Sequence, residues 1–408
     1  MALKRQPVSV SEWESDPAVN HLRDYLRIRT VQPDVNYDEA IKFLSSLAAT
    51  SSIPYQVVLL GPHQKPMLLM TWEGTDPSLD SILLNSHMDV VPVFDDNWIH
   101  PPFDAFMDEN GTIFARGVQD MKSVGIQYVE AIARLKTAGV RLKRTVHVSF
   151  VPDEEIGGED GMLAFLDTEV YRRLRVGFGL DEGMASPGDD YLVFYAERSA
   201  WPLVVTSSGT SGHGSLLLND TAGEKLRYVI DKFMDLREEN KKKLESNPEL
   251  TAGDVTTINL TQLGGGVQEN VVPDQLTATF DIRLALSEYH REFEDMIARW
   301  CLEAGPNVTY HFVYKTPPVA PTALDRTNPY WGAFEAAAER MNLTLRQRVF
   351  PAGTDGGYLR GLGVPVLGFS PLTRTPVQLH QDNESLQAAV FVRGIEVYEK
   401  ILEAVGNA

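Results

Sequence analysis

Three short stretches in the first half of the chain, residues 82–85, 145–151 and 177–180, read as buried strands, and each runs straight into residues that can bind metal or move a proton. Apolar runs bounded in this way belong to strands covered on both faces. Amphipathic helical stretches alternate with them. Residues 121–135, for example, carry Val124, Tyr128, Ile132 and Leu135 along one face. This alternation is the pattern of an α/β domain, and α/β folds place their sites where strands end along one sheet edge.

Between about 196 and 315 the pattern changes. Strands are expected at 202–206, 255–263, 276–284 and 308–313, with helices at 224–244 and 288–303, the second with Ser287 as its N-cap. That order, β-α-β-β-α-β, is the split βαβ motif. Leu276, Ala278, Phe280, Ile282 and Leu284 alternate with polar residues, so one face of that sheet is buried and the other exposed. After Pro317 and Pro318 the α/β pattern resumes, with a helix at 329–341 and a strand at 364–369. The expected organisation is one α/β domain, 1–195 and 316–408, interrupted by a smaller inserted domain, 196–315.

The charge narrows the partners. A formal net charge of -19 repels phosphate backbones, which argues against nucleic acid as a ligand. Bound divalent cations would cancel part of it. Cys301 is the one cysteine, so an intrachain disulfide and a thiolate zinc site are both excluded. Residues 1–10 show no secretory pattern, and no apolar run reaches the roughly 20 residues that span a bilayer. No membrane association is expected, and a reducing, cytoplasmic setting fits.

The candidate site residues follow the strands. In His87-Met88-Asp89 the first and third residues share a face of an extended chain. Asp89 is therefore expected to accept a hydrogen bond from one ring nitrogen of His87 while the other faces a metal. Asp120 stands at the start of the 121–135 helix, as a ligand or as a helix cap. The segment Pro152-Asp153-Glu154-Glu155-Ile156-Gly157-Gly158 sets adjacent carboxylates before a glycine turn, which can bring both into one site in different roles or leave them as a solvated acidic loop. Asp181-Glu182 repeats the theme, and His380 follows a strand and a proline-containing loop. His147, inside its strand, reads as a packed core residue.

Taken in order, these motifs resemble the zinc aminoacylase and carboxypeptidase family. The resemblance extends to Ser211-Gly212-His213-Gly214-Ser215, Asn270-Val271-Val272-Pro273 and Asp281-Ile282-Arg283 in the inserted section, and it covers almost the whole chain. Residues 151–158, 178–184, 194–201 and 368–380 are closer still to the branch that hydrolyses N-acyl-L-amino acids. The resemblance implies a di-zinc aminopeptidase-like catalytic domain with an inserted ferredoxin-like (βαββαβ) lid and dimerisation domain. It implies one zinc on His87, Asp120 and Glu182, a second on Glu155, His380 and the shared Asp120, and a cis peptide after Asp120. Glu154 becomes the general base, and Asp89, through His87, is counted with the catalytic residues. His213 becomes the donor to the oxyanion, supplied across a homodimer. Asn270, Arg283, Arg360 and Thr354 become the substrate-binding residues. The implied substrates are N-acetyl derivatives of neutral amino acids. Gly356 and Gly357 depart from the pattern of that branch, which carries bulkier residues there, so the loop beside the substrate is expected to differ in shape. A dipeptidase or carboxypeptidase of the same family, and a non-catalytic protein on the same fold, are the alternatives. Loss of Glu154 or of a ligand would mark the last, and none is lost.

Overall fold

The computed structural model describes residues 10–408. The reading of the amino terminus as lacking a leader rests on residues that lie almost wholly outside these. The described residues divide into two compact units, one of 10–195, 321–347 and 354–408, the other of 196–320 and 348–353.

An eight-stranded sheet dominates the first unit. Its order is Tyr55–Leu60, Lys65–Trp72, Val146–Val151, Ser81–His87, Val176–Asp181, Val366–Gly368, Tyr191–Glu197, Leu345–Phe350. The four middle strands, from Val146–Val151 to Val366–Gly368, run parallel. Every residue of Ser81–His87 and of Val146–Val151 is buried, which is why these stretches show no period-two alternation. The Lys122–Thr137 helix buries Val124, Tyr128, Ile132 and Leu135 as expected, but it is not amphipathic along its first two turns, where every residue from Lys122 to Val129 is buried. It packs on the Ala388–Val405 helix, where Tyr128 and Tyr398 meet edge to face at 4.7 Å. Asn328 caps the Pro329–Arg340 helix by accepting the N–H groups of Tyr330 and Trp331. His147 is buried, with Nδ1 3.0 Å from the Thr71 hydroxyl.

The second unit has an antiparallel sheet in the order Thr257–Gly265, Gln275–Leu284, Leu203–Ser208, Val308–Phe312. The alternation along Gln275–Leu284 is realised, with Ala278, Phe280, Ile282 and Leu284 buried. They pack with Phe233 of the Ala222–Ser246 helix and Ile297 of the His290–Ala304 helix in a separate core. Thr221 and Glu224 form a capping box at the first of these helices. Ser287 is not the cap of the second. Glu288 N–H closes a turn onto Ala285, so the helix starts later, after Tyr289. Segment 348–353 lies with this unit because Arg198 donates to the Pro351 carbonyl through Nε and to the Val255 carbonyl through a terminal nitrogen, both at 3.0 Å. Among the described residues no helix is long and apolar enough to cross a membrane.

Candidate metal centre

The parallel strands end along one edge of the large sheet, and the candidate ligands gather there. His87 is the last residue of its strand. Glu182 follows directly on Val176–Asp181, and Glu154 and Glu155 follow Val146–Val151 by a short turn. Asp120 comes from the loop before the Lys122–Thr137 helix; its peptide bond to Met121 is cis. His380 comes from the loop ahead of Ser385–Gln387.

Asp120 sits between the two histidines. Its Oδ1 is 3.0 Å from His87 Nε2, and its Oδ2 is 3.3 Å from His380 Nε2. Glu182 approaches His87 Nε2 at 3.8 Å, and Glu155 approaches His380 Nε2 at 3.1 Å. Among the described residues, two groups of three can hold an ion: His87, Asp120 and Glu182, and Asp120, Glu155 and His380. In each group the donor atoms lie within 4.8 Å of one another.

The electrostatics fit a cationic occupant. Burial pushes Glu182 well above the usual carboxylate range, and neighbouring Asp120 adds to it. Burial raises Glu155 too, again with Asp120 contributing, and raises Glu154 with Glu182 contributing. Burial acts the same way on Asp120, but hydrogen bonds with His380 and His87 outweigh it and hold this carboxyl well below its usual range. His380 is in turn pushed up to about 10 by Asp120 and Glu155. Carboxylates crowded in this way, with imidazole nitrogens among them, form a nitrogen-and-oxygen donor set suited to divalent transition metals such as zinc.

Asp89 works differently from the sequence expectation. The group 2.9 Å from His87 Nδ1 is the backbone carbonyl of Asp89, while its carboxylate stands 3.6 Å away. That carboxylate is drawn instead to peptide N–H groups, accepting from Glu154 at 3.2 Å, from Glu155 at 3.1 Å and from the Gln32 amide at 2.8 Å. It orients the turn that presents the two glutamates. Asp153 adopts a left-handed conformation with φ 61°. Its side chain accepts from the Tyr37 hydroxyl at 2.7 Å and from Gln32 at 3.0 Å, and pairs with Lys65. Adjacent Glu154 and Glu155 thus stand on a turn pinned on both sides, and only Glu155 falls in a group that can hold an ion.

Sequence reasoning missed the groups behind the ligands. The buried Asn85 amide bridges Asp181 and Asp355, 3.1 Å from each. Burial, with Asp181 close by, pushes Asp355 well above its usual range. Glu384, fully buried beside Arg116, accepts the N–H groups of Gly117 at 2.9 Å and Gln119 at 2.6 Å. Burial pushes Glu384 up to about 7 against the pull of Arg116. The one hint was position: Arg116 and Glu384 each lie four residues from a candidate ligand.

The remaining candidates are distributed over both units. Thr354 caps the Asp355–Gly361 helix, accepting the Gly356 N–H at 3.2 Å. Arg360 is buried, with Nε donating to the Val366 carbonyl at 3.1 Å. Gly356 donates its N–H to Asp181 at 2.5 Å, and a Cβ there would stand 3.0 Å from the Asp181 carboxylate and 3.1 Å from Val366. His213, Asn270 and Arg283 belong to the second unit. His213 lies on Gly212–His213, paired with Val271–Val272, and its Nδ1 is 2.8 Å from the Ser215 hydroxyl. Asn270 accepts the Gly214 N–H on its carbonyl at 2.7 Å, so these two candidates are neighbours. Arg283 forks onto Asp281 at 2.9 and 3.0 Å.

A mixed α/β unit with paired His and carboxylate clusters at its strand ends defines a metal-dependent hydrolase class. The sequence profile of peptidase family M20/M25/M40 matches residues 83–404, and the chain belongs to that family. It is 49% identical to Aminoacylase-1A of Rattus norvegicus over 96% of both chains, and 48% identical to Aminoacylase-1 of Homo sapiens over 97% of this chain and 96% of the other. Among solved structures, an M20 family metallo-carboxypeptidase from Sulfolobus solfataricus superposes with a TM-score of 0.72 at 17% identity, covering 96% of this chain and 99% of that one. At that identity the likeness establishes the fold alone.

Proposed function

We propose that this protein is an aminoacylase that hydrolyses the amide bond of N-acyl-L-amino acids, N-acetyl derivatives of neutral amino acids foremost, with two zinc ions. The observation that carries the reading is Asp120, whose two oxygens face two different histidines, each beside its own glutamate. The identity with Aminoacylase-1 proteins along nearly the full length supports the substrate class.

In this reading His87, Asp120 and Glu182 hold one ion, and Asp120, Glu155 and His380 the other. Bound divalent ions lower the pKa of water and polarise an amide carbonyl oxygen. Glu154, in neither ligand set, takes a proton from the attacking water and delivers it to the departing nitrogen. Asp89 supports this by fixing the Glu154 and Glu155 peptides. His213 donates to the developing oxyanion. Asn270 and Arg283 bind the substrate carboxylate, Arg283 exchanging Asp281 for it. Thr354 and Arg360 shape the adjoining wall from the Asp355–Gly361 segment and its cap. The second unit serves as a ferredoxin-like lid through which two copies form a homodimer that brings His213 to the partner's site, an arrangement that would also cover an open sheet edge. A cytoplasmic location fits a chain with one buried, unpaired cysteine.

The test is release of L-methionine from N-acetyl-L-methionine by zinc-loaded protein, beside Glu154→Gln with its metal content measured. Turnover in the wild type, reduced at least about 100-fold in a variant that keeps its metal, is the expected result. Turnover of unacylated dipeptides alone would move the activity to a peptidase, and turnover of neither would favour a binding protein.

A further inference from the structure

The loops carrying Asp120 and His380 are far apart in sequence and meet over one buried ion pair. Glu384 Oε1 accepts the N–H groups of Gln119 at 2.6 Å and Asp120 at 3.3 Å. Its Oε2 accepts Gly117 N–H at 2.9 Å and the Arg116 guanidinium at 3.0 Å. The same guanidinium donates to the carbonyls of Gln381 at 3.0 Å and His380 at 3.3 Å. Beside this pair the Gln119 amide donates to the Pro376 and Ser385 carbonyls at 3.1 and 2.9 Å, and its oxygen accepts the Gln378 N–H at 3.1 Å.

The other ligands are held by different means. His87 and Glu182 sit at the ends of parallel strands, and Glu155 is held through Asp89. His380 stands in a left-handed conformation on a loop, φ 59°, with its side chain half exposed, and the backbone bonds from Arg116 fall on the residue itself and on the next one. The pair therefore ties the loop of His380, which belongs to one ligand set only, to the backbone of the shared Asp120, where a small shift of that loop changes the span between His380 and Asp120.

We propose that the Arg116–Glu384 pair is a positioning device for the ion held by Asp120, Glu155 and His380, and that weakening it selectively weakens that ion. The proposal rests on the two-ion reading above. Glu384 itself belongs to neither ligand group. Replacing it with glutamine keeps its shape but turns an NH2 group toward backbone donors and leaves Arg116 buried without its anion. Loss of such supporting contacts typically weakens metal binding by about 10–100-fold.

The experiment titrates metal-free wild type, Glu384→Gln and His380→Ala with Co2+, following visible absorption and bound metal per chain, and records thermal unfolding of each metal-free protein. Two ions in the wild type are expected. In Glu384→Gln one ion should bind within about threefold of its wild-type affinity, and the other about 10–100-fold more weakly, with the spectrum of the one-ion form matching that of His380→Ala. Two ions bound as tightly as in the wild type, or both weakened in parallel, would overturn the proposal while leaving the two-ion reading intact. A wild type that binds fewer than two ions would overturn both. Should Glu384→Gln fail to fold, Arg116→Lys decides on the same readout, because lysine keeps the charge but cannot fork across Glu384 and the two carbonyls. Unchanged affinity for both ions in that variant counts against the proposal.

Discussion

Glu154 and Glu155 are neighbours in the chain, yet in the proposed reading one would stay free to carry a proton while the other would hold metal. What separates them is the turn that begins at Asp153, and Asp89 secures it through both glutamate N–H groups. Asp89→Ala is expected to lower kcat for N-acetyl-L-methionine by about 10–100-fold with metal still bound, because it frees the base without removing it. Steady-state kinetics with metal content measured in parallel check this, and wild-type kcat would show that the turn holds without Asp89. His87, Glu154, Glu155 and Glu182 were legible because each stands at or just past the end of a recognisable apolar run, whereas Asp120 and His380 stand on loops and were placed only by resemblance. The role of Asp89 was not legible. Extended geometry predicted a carboxylate facing His87, but the chain turns after His87, and two unmatched peptide donors attract the carboxylate more strongly than one ring nitrogen already served by a carbonyl.

Elements were legible where a period exists. The buried central strands showed as runs and Gln275–Leu284 as an alternation, because burial on two faces or on one leaves those signatures. The 376–385 loop has no period, and its order comes from side-chain amides and a buried carboxylate that only the folded chain brings together, so neither Glu384 nor Gln119 could be singled out beforehand. Segment 348–353 was equally hidden, since it follows Arg198 rather than any pattern of its own. His147 gives the Val146–Val151 strand a measurable property. Burial pushes its imidazole down to about 4 from 6.5, so the unfolded chain takes up a proton that the folded one refuses. Its neutral form favours folding fully above about pH 6.5, and that contribution is lost as the pH falls towards 4. Against His147→Gln, the wild type should lose on the order of 2–3 kcal/mol between pH 7 and pH 4. Urea unfolding of both proteins across that range tests it, and parallel pH profiles would rule the effect out.

At the scale of the whole molecule, a chain of net charge -19 gathers Asp120, Glu154, Glu155 and Glu182 at one sheet edge. Folding brings these negative groups together, and bound cations relieve their repulsion. Removing metal with a chelator should therefore abolish activity and lower the Tm by several degrees, with both restored by zinc. Added salt should narrow the gap in Tm between metal-free and metal-loaded protein, since screening substitutes in part for the ions. Differential scanning calorimetry at low and moderate salt checks both, and an unchanged Tm on metal removal would mean that the ions contribute nothing to folding.

The same architecture imposes an order in time. A ribosome releases His87, Asp120 and Glu182 ahead of the second unit, so in the two-ion reading one full ligand set would exist while that unit is still being made. The other set waits for His380, and the parallel strand beside Val176–Asp181 waits for residues 366–368. In the two-ion reading a nascent chain could thus gather its first three ligands early, but it could not complete the paired site until the second unit and the loop carrying His380 had followed.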